Sequence, residues 1–156
     1  LSVARALRRR KGLTVITNNL TAAMALSEEV TNRIILPGGE LRLPDRDILG
    51  DEVLGFFGKY RAEFGIFSVA GVASDGSLLE FHSAEVSVRE KIRENAQVSM
   101  LVIDQTKFGR RAPAAGENIR DVDHVILDKR PGPKFSSVLE NLGDKLILAE
   151  RDTDVL

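Results

Sequence analysis

Short apolar runs alternate along this chain with segments whose apolar residues recur at helical spacing. Leu13-Thr14-Val15-Ile16-Thr17 is β-rich and predicts a first strand. Residues 20–29 place Leu20, Ala23, Met24 and Leu26 at helical spacing between polar ends and predict a helix. Arg33-Ile34-Ile35-Leu36 predicts a second strand, stopped by Pro37-Gly38-Gly39. Residues 51–60 predict a helix with Val53, Leu54, Phe56 and Phe57 on its apolar side. Phe64-Gly65-Ile66-Phe67-Ser68-Val69 predicts a third strand, and residues 83–95 a charged helix with Ser83 as its expected N-cap. Val98-Ser99-Met100-Leu101-Val102-Ile103 and His124-Val125-Ile126-Leu127 predict two more strands. Residues 135–142 predict a helix, and Lys145-Leu146-Ile147-Leu148-Ala149 a last strand. The opening residues, from Leu1 to Leu7, read as a helix already under way.

Nearly continuous apolar runs belong to strands covered on both faces, and their alternation with helices implies an α/β fold, Rossmann-like, with a mostly parallel sheet between helices. In such sheets ligands bind beyond the carboxyl ends of the strands. The residues there are Thr17-Asn18-Asn19, then Gly38-Gly39-Glu40-Leu41-Arg42, then Ala70-Gly71 with the turn Ser74-Asp75-Gly76-Ser77, and Asp104-Gln105-Thr106-Lys107-Phe108-Gly109-Arg110. This set suits a small polyol phosphate. Backbone N–H groups at Gly38, Gly39 and Gly71 can approach anionic oxygens closely. Thr17 and Asn18 offer a hydroxyl and an amide where a helix begins, the end whose dipole favours an anion. Lys107 brings a compact positive charge, and Glu80 and Glu85 can accept from ligand hydroxyls. His82, beside both glutamates, is a further candidate. Each feature also has an ordinary role. Thr-Asn-Asn before a helix is a good cap, Pro-Gly-Gly and Asp75-Gly76 are turn signals, and a lone lysine is most often solvated. Their shared position at strand ends raises the functional reading.

Composition narrows the alternatives. The 156 residues suit one domain with a real core. A net charge of −1 makes the chain as a whole a poor trap for nucleic acid. With no cysteine and only two histidines, His82 and His124, a disulfide framework, a thiolate nucleophile and a His- or Cys-rich metal site are excluded, and no cofactor is expected. No stretch approaches the roughly 20 apolar residues of a membrane helix, and the charged start lacks the apolar core of a signal peptide. A cytoplasmic location is expected, and the chain reads as a fragment of something longer.

The motifs match a known family. Ile16-Thr17-Asn18-Asn19-Leu20 and Arg33-Ile34-Ile35-Leu36-Pro37-Gly38-Gly39-Glu40-Leu41-Arg42 resemble the C-terminal sensor domain of DeoR-type transcriptional repressors. So do Phe64-Gly65-Ile66, Ser74-Asp75-Gly76-Ser77-Leu78-Leu79-Glu80-Phe81, Glu85-Val86, and Asp104 with Lys107-Phe108-Gly109-Arg110. The resemblance implies a fold shared with ribose-5-phosphate isomerase, glucosamine-6-phosphate deaminase and CoA transferases. It implies a phosphorylated sugar or polyol as effector, with sn-glycerol 3-phosphate first among them. It also implies an upstream winged helix-turn-helix that releases operator DNA when effector binds, and a homodimer or homotetramer. Around the effector it would place Thr17, Asn18, Gly38, Gly39, Gly71 and Lys107. It implies that residues 1–156 form the sensor domain without its first strand and its Asp-x-Gly-Thr-Thr phosphate loop. The sequence departs from the pattern at three places. His82 stands where aspartate is expected, Arg89-Glu90 replaces a Lys-Arg pair, and Ala70 replaces a serine.

Two other features carry ordinary readings. Arg8-Arg9-Arg10-Lys11 followed by Gly12 fits a helix C-terminus. The charges Arg89, Glu90, Lys91, Arg93 and Glu94 read as solvated i,i+4 partners, with Glu85 the exception. The competing function is an isomerase or deaminase of the same fold, with Lys107 and Glu85 or Asp104 as acid and base. Glycerol 3-phosphate has no carbonyl for such chemistry, and the isomerase motifs are absent, so no catalytic residue is assigned.

Overall fold

A computed structural model describes residues 1–149. The chain divides into two compact units, Leu1–Tyr60 and Arg61–Leu156. In the first, helix α1 (Ser2–Leu7) leads to strand β1 (Thr14–Ile16), helix α2 (Leu20–Ser27) and strand β2 (Arg33–Ile35). β1 and β2 pair in parallel, with Val15 opposite Ile34. Ala4 of α1 and Ala23 and Leu26 of α2 are buried. Asn32 closes the crossover: its amide donates to the Leu26 carbonyl at 2.9 Å and accepts from the Leu13 N–H at 2.9 Å. A short antiparallel hairpin follows, β3 (Leu41–Arg42) with β4 (Asp47–Ile48), and then helix α3 (Asp51–Gly58), which buries Val53 and Phe57.

The second unit holds the larger sheet. Its elements are β5 (Ala62–Phe67), β6 (Gly71–Val72), β7 (Ser77–Glu80), α4 (Ser83–Glu94), β8 (Ala96–Ile103), β9 (Ala114–Asn118), β10 (His124–Leu127), α5 (Ser136–Glu140) and β11 (Leu146–Leu148). The order β11-β10-β8-β5 is parallel throughout, so the carboxyl ends of all four strands point the same way. Phe67, Leu101, Ile103, Val125 and Leu127 join one buried cluster with Val72 and Leu78, with Ile119 and Val122, and with Val138, Leu139 and Leu142 at α5. The neighbouring positions Ile66, Met100, Val102 and Ile126 face the other way and are half-buried.

The α/β reading with a parallel sheet therefore holds. The pattern did not predict the hairpin or the three-stranded antiparallel sheet β6-β7-β9. β9, Ala-Ala-Gly-Glu-Asn, has no β-branched or aromatic residue and owes its conformation to pairing with β7. Ser83 is not the N-cap of α4. His82 holds that position without a side-chain hydrogen bond, and Ser83 is the first helical residue. The last helix begins as a 3-10 turn, Pro133–Phe135, before α5. Among the described residues no helix is long and apolar enough to cross a membrane.

Leu101 is fully buried, so Leu101→Ala should cost about 2–5 kcal/mol in urea unfolding, and Met100→Ala clearly less. The reverse ranking would contradict this assignment of faces.

Candidate functional site

The strand-end residues form one group in each unit. In the first, Thr17 extends the β1–β2 ladder, its N–H donating to the Ile35 carbonyl at 3.1 Å, and its hydroxyl accepts from the Asn19 N–H at 3.1 Å. Asn18 grips β4 twice: its amide donates to the Ile48 carbonyl at 2.9 Å, and its own carbonyl accepts from the Ile48 N–H at 3.0 Å. Asn19 caps α2, accepting from the Ala22 N–H at 2.8 Å, and donates to the Asp45 carbonyl at 3.3 Å. The expected cap is thus real, and both ends of the Asn19 amide are engaged. Gly39 adopts φ 135°, and a Cβ there would stand 2.9 Å from the Ile48 side chain. Asn18, Asn19 and Gly39 therefore converge on β4, while Thr17 is tied to β2 and to Asn19. Gly38 and Glu40 are exposed beside them. The hairpin is held by Arg42, whose guanidinium makes a two-pronged pair with Asp47 at 2.8 and 2.9 Å.

In the second unit the chain leaves β5 at Phe67 and enters β6 at Gly71; it leaves β8 at Ile103 and enters a 3-10 turn, Gln105–Lys107. These two exits lie side by side, because β5 and β8 pair with Phe67 opposite Leu101. They meet again beyond the sheet. Val72 bridges Phe108 in parallel, and the Gly109 N–H donates to the Val72 carbonyl at 2.9 Å. On the other side of β6, Gly71 is opposite Leu79, the residue before Glu80. Lys107, Gly71 and Glu80 thus lie on three adjacent segments, about 10 Å across at the usual strand spacing. That width suits a small ligand. Asp104 shapes the turn carrying Lys107, accepting from the Thr106 hydroxyl and from its N–H at 2.9 Å. The Thr106 hydroxyl, ahead of burial and the other contacts, holds the Asp104 carboxyl below its ordinary range. Asp128, just past β10, accepts from the Gln105 N–H at 2.7 Å and ties the next strand end to the same turn.

Gly71 has a packing role that its place in the sequence did not reveal: a Cβ there would fall 2.1 Å from the Arg110 carbonyl oxygen, so only glycine fits between β7 and the Lys-Phe-Gly-Arg segment.

Glu80 ends β7 and is buried, as is Arg89 in the middle of α4. Arg89 Nη1 donates to Glu80 Oε1 at 2.9 Å. Arg89 Nε stands 3.5 Å from Glu117 Oε2 on β9, and Arg93 hydrogen-bonds the other Glu117 oxygen. The solvated reading of this helix holds for the exposed Lys91–Glu94 pair at 3.8 Å but fails for Arg89. The signal was available: Arg89 lies three residues from Val86 and three from Ile92, on the packed side of α4. Glu117 was missed because nothing marked its strand. Burial pushes the Glu80 carboxyl up to about 7. Arg89 opposes that shift and the nearby Glu85 adds to it. Glu85 is half-buried in the first turn of α4, and His82 is exposed at its cap. Among the described residues no group of three or more His, Cys, Asp or Glu side chains could hold a metal.

Residues 1–129 match the family described as the DeoR C terminal sensor domain. The chain is similar to the glycerol-3-phosphate regulon repressor of Escherichia coli, 44% identical over 138 residues, 88% of this chain and 55% of that protein. It is 35% identical to the repressor of the same name in Haemophilus influenzae, over 83% of this chain and 51% of that protein. It is 32% identical to the HTH-type transcriptional repressor CsqR of Escherichia coli, over 96% of this chain and 58% of that protein. The chain spans about half the length of these relatives. Each is a transcriptional regulator, which favours the sensor over the isomerase or deaminase alternative.

A carboxyl raised from 4.5 to about 7 binds its proton more tightly in the folded chain than in the unfolded one. Its contribution is full below the unfolded value and is lost as pH rises through the folded value. Replacing Glu80 with Gln removes this titration. The stability difference between variant and wild type, read by urea unfolding, should move in the variant's favour between about pH 4.5 and 7 and level off above. A pH-independent difference would contradict the raised carboxyl.

Proposed function

The chain belongs to the DeoR C-terminal sensor domain family, and from that premise we propose that it is the effector-binding, non-catalytic part of a bacterial repressor whose effector is a phosphorylated polyol or sugar, sn-glycerol 3-phosphate first. What supports the proposal is that the segments carrying Gly71, Glu80 and Lys107 run side by side beyond the carboxyl ends of the adjacent parallel strands β5 and β8. Lys107 serves the phosphate, and Glu80 and Glu85 accept from the hydroxyls, with His82 beside them. The further contact in the second unit is the Gly71 backbone. Thr17, Asn18, Asn19, Gly38, Gly39 and Glu40 form a strand-end group of their own in the first unit, where the Asn19 side chain is occupied by the cap and by the Asp45 carbonyl. The two glycerol-3-phosphate regulon repressors among the relatives support this choice of effector.

The same reading assigns operator binding to a winged helix-turn-helix outside this sequence, released when effector binds, in a cytoplasmic homodimer or homotetramer. It also assigns to the domain a first strand not contained in residues 1–156. β5 lies at an edge of its sheet, where among the described residues no further strand pairs, and a parallel strand would close it.

The intact protein should be titrated with glycerol 3-phosphate, fructose phosphates and ribose 5-phosphate while its thermal unfolding is followed. At about 100 times Kd the bound ligand stabilises by about 2.7 kcal/mol, roughly 5–10 °C for a domain of this size. The largest shift is expected for glycerol 3-phosphate. No shift with any of them would overturn the sensor reading, and turnover of a sugar phosphate would favour an enzyme. Lys107→Ala should weaken binding about tenfold or more, as expected for a lost charged contact, and leave the unfolding transition of the free protein in place. Unchanged affinity would return Lys107 to the solvated surface.

A further inference from the structure

Arg89 lies outside every residue assigned to the effector above, yet it is among the most buried charged groups in the chain. From the middle of α4 it reaches two strands of the antiparallel sheet at once. It donates to Glu80 on β7 and stands within ion-pair distance of Glu117 on β9. Glu117 is held in turn by Arg93, one turn further along the same helix. Gly116 makes the approach possible: a Cβ there would lie 2.4 Å from the Val86 side chain and 2.7 Å from a Glu90 oxygen, so α4 rests directly on the backbone of β9. Glu80 is also joined to α4 through the chain, with only Phe81 and the cap residue His82 between them.

This geometry has a consequence for binding. Arg89 and Arg93 are the two cations set against Glu80 and Glu117, and Arg89 alone touches both glutamates. Removing Arg89 leaves Glu80 buried without its ion-pair partner, while Glu117 keeps Arg93. Arg89 holds one oxygen of Glu80, whose carboxyl also accepts from the Ala70 N–H, and so ties α4 to the end of β7. Nε and Nη2 of Arg89 and Oε2 of Glu117 have no hydrogen-bond partner among the described residues, so Arg89 is held by one hydrogen bond, to Glu80, and by charge attraction to Glu117.

We propose that Arg89 is a positioning residue for the hydroxyl-binding half of the effector site: by bridging Glu80 and Glu117 it sets Glu80 and the first turn of α4 as one rigid acceptor group, without itself touching the ligand. The inference rests on the functional reading above and deepens it, because it separates recognition of the polyol hydroxyls from recognition of the phosphate. Phosphate recognition is assigned to the turn carrying Lys107, which hangs from β8 and not from α4.

The test compares two probes, glycerol 3-phosphate and inorganic phosphate, by calorimetric titration of the intact protein and three variants. Arg89→Met should lose roughly tenfold or more in affinity for glycerol 3-phosphate, the scale of a displaced charged hydrogen bond, while inorganic phosphate binding stays within about twofold. Arg89→Lys keeps the charge and should recover part of the loss. Glu117→Gln removes one of the two anchors, guards against a misfolded methionine variant, and should give a smaller loss of the same selectivity. Equal losses for both probes, as general loosening of the fold would give, would overturn the inference, as would unchanged affinity in all three variants. Failure of the unaltered protein to bind glycerol 3-phosphate would instead overturn the functional reading, and the inference with it.

Discussion

Parallel pairing sends every strand of a sheet out at the same end, and the chain's candidate chemistry follows from that constraint. In the second unit β5, β8, β10 and β11 run side by side in one direction, so the segments leaving β5 and β8 emerge as neighbours. The pairing is held by a buried apolar layer in which Leu101, Val125 and Leu127 are wholly inaccessible. At about 25 cal/mol per Å² of apolar surface removed from water, that layer dominates the local energetics. The polar residues at the strand ends contribute little to stability by comparison. They are free to be chosen for a ligand, within the limits that backbone packing sets.

Those limits are visible at several candidates. Gly71 admits no side chain because the Arg110 carbonyl fills the space. Asn19 has its amide committed to the cap of α2 and to the hairpin. Asn18 is bound to both backbone groups of Ile48. A residue can thus satisfy the fold and face a ligand with whatever atoms remain. For glycines those are backbone N–H groups; for Glu80 it is what Arg89 and the Ala70 N–H leave of the carboxyl. The ionic cluster under α4 is the costly element here, since buried ion pairs seldom repay their desolvation beyond what apolar packing would give. A recognition role for the geometry it enforces would account for keeping it.

Which parts of this were legible in the sequence follows from the forces involved. The strands Thr14–Ile16, Arg33–Ile35, Ala62–Phe67, Ala96–Ile103 and His124–Leu127 announce themselves because burial demands apolar residues locally. The strand Ala114–Asn118 does not, because it depends on a partner about forty residues earlier in the chain. The hairpin at residues 41–48 was hidden by its turn, in which Arg46 takes φ 53° without the glycine that usually marks such a position. Arg89 was read as solvated because charge alone was weighed, although its spacing from Val86 and Ile92 put it on the packed side. The Thr-Asn, Gly-Gly, Gly71 and Lys107 positions follow the strands that the apolar runs predict. The dual role of Gly71 was invisible, since no local pattern reveals a carbonyl from a segment nearly forty residues away.

The central claim is that a small phosphorylated ligand is received where β5 and β8 leave their sheet. Backbone amide NMR of the protein during titration with glycerol 3-phosphate addresses it directly. The largest and earliest shifts are expected at Gly71, at Glu80 to Glu85, and at Lys107 to Gly109. The opposite end of the same sheet, where Asp123 accepts from Ser99 N–H at 2.8 Å, should stay unmoved. Shifts concentrated around Ser99 and Asp123, with the strand exits silent, would contradict it.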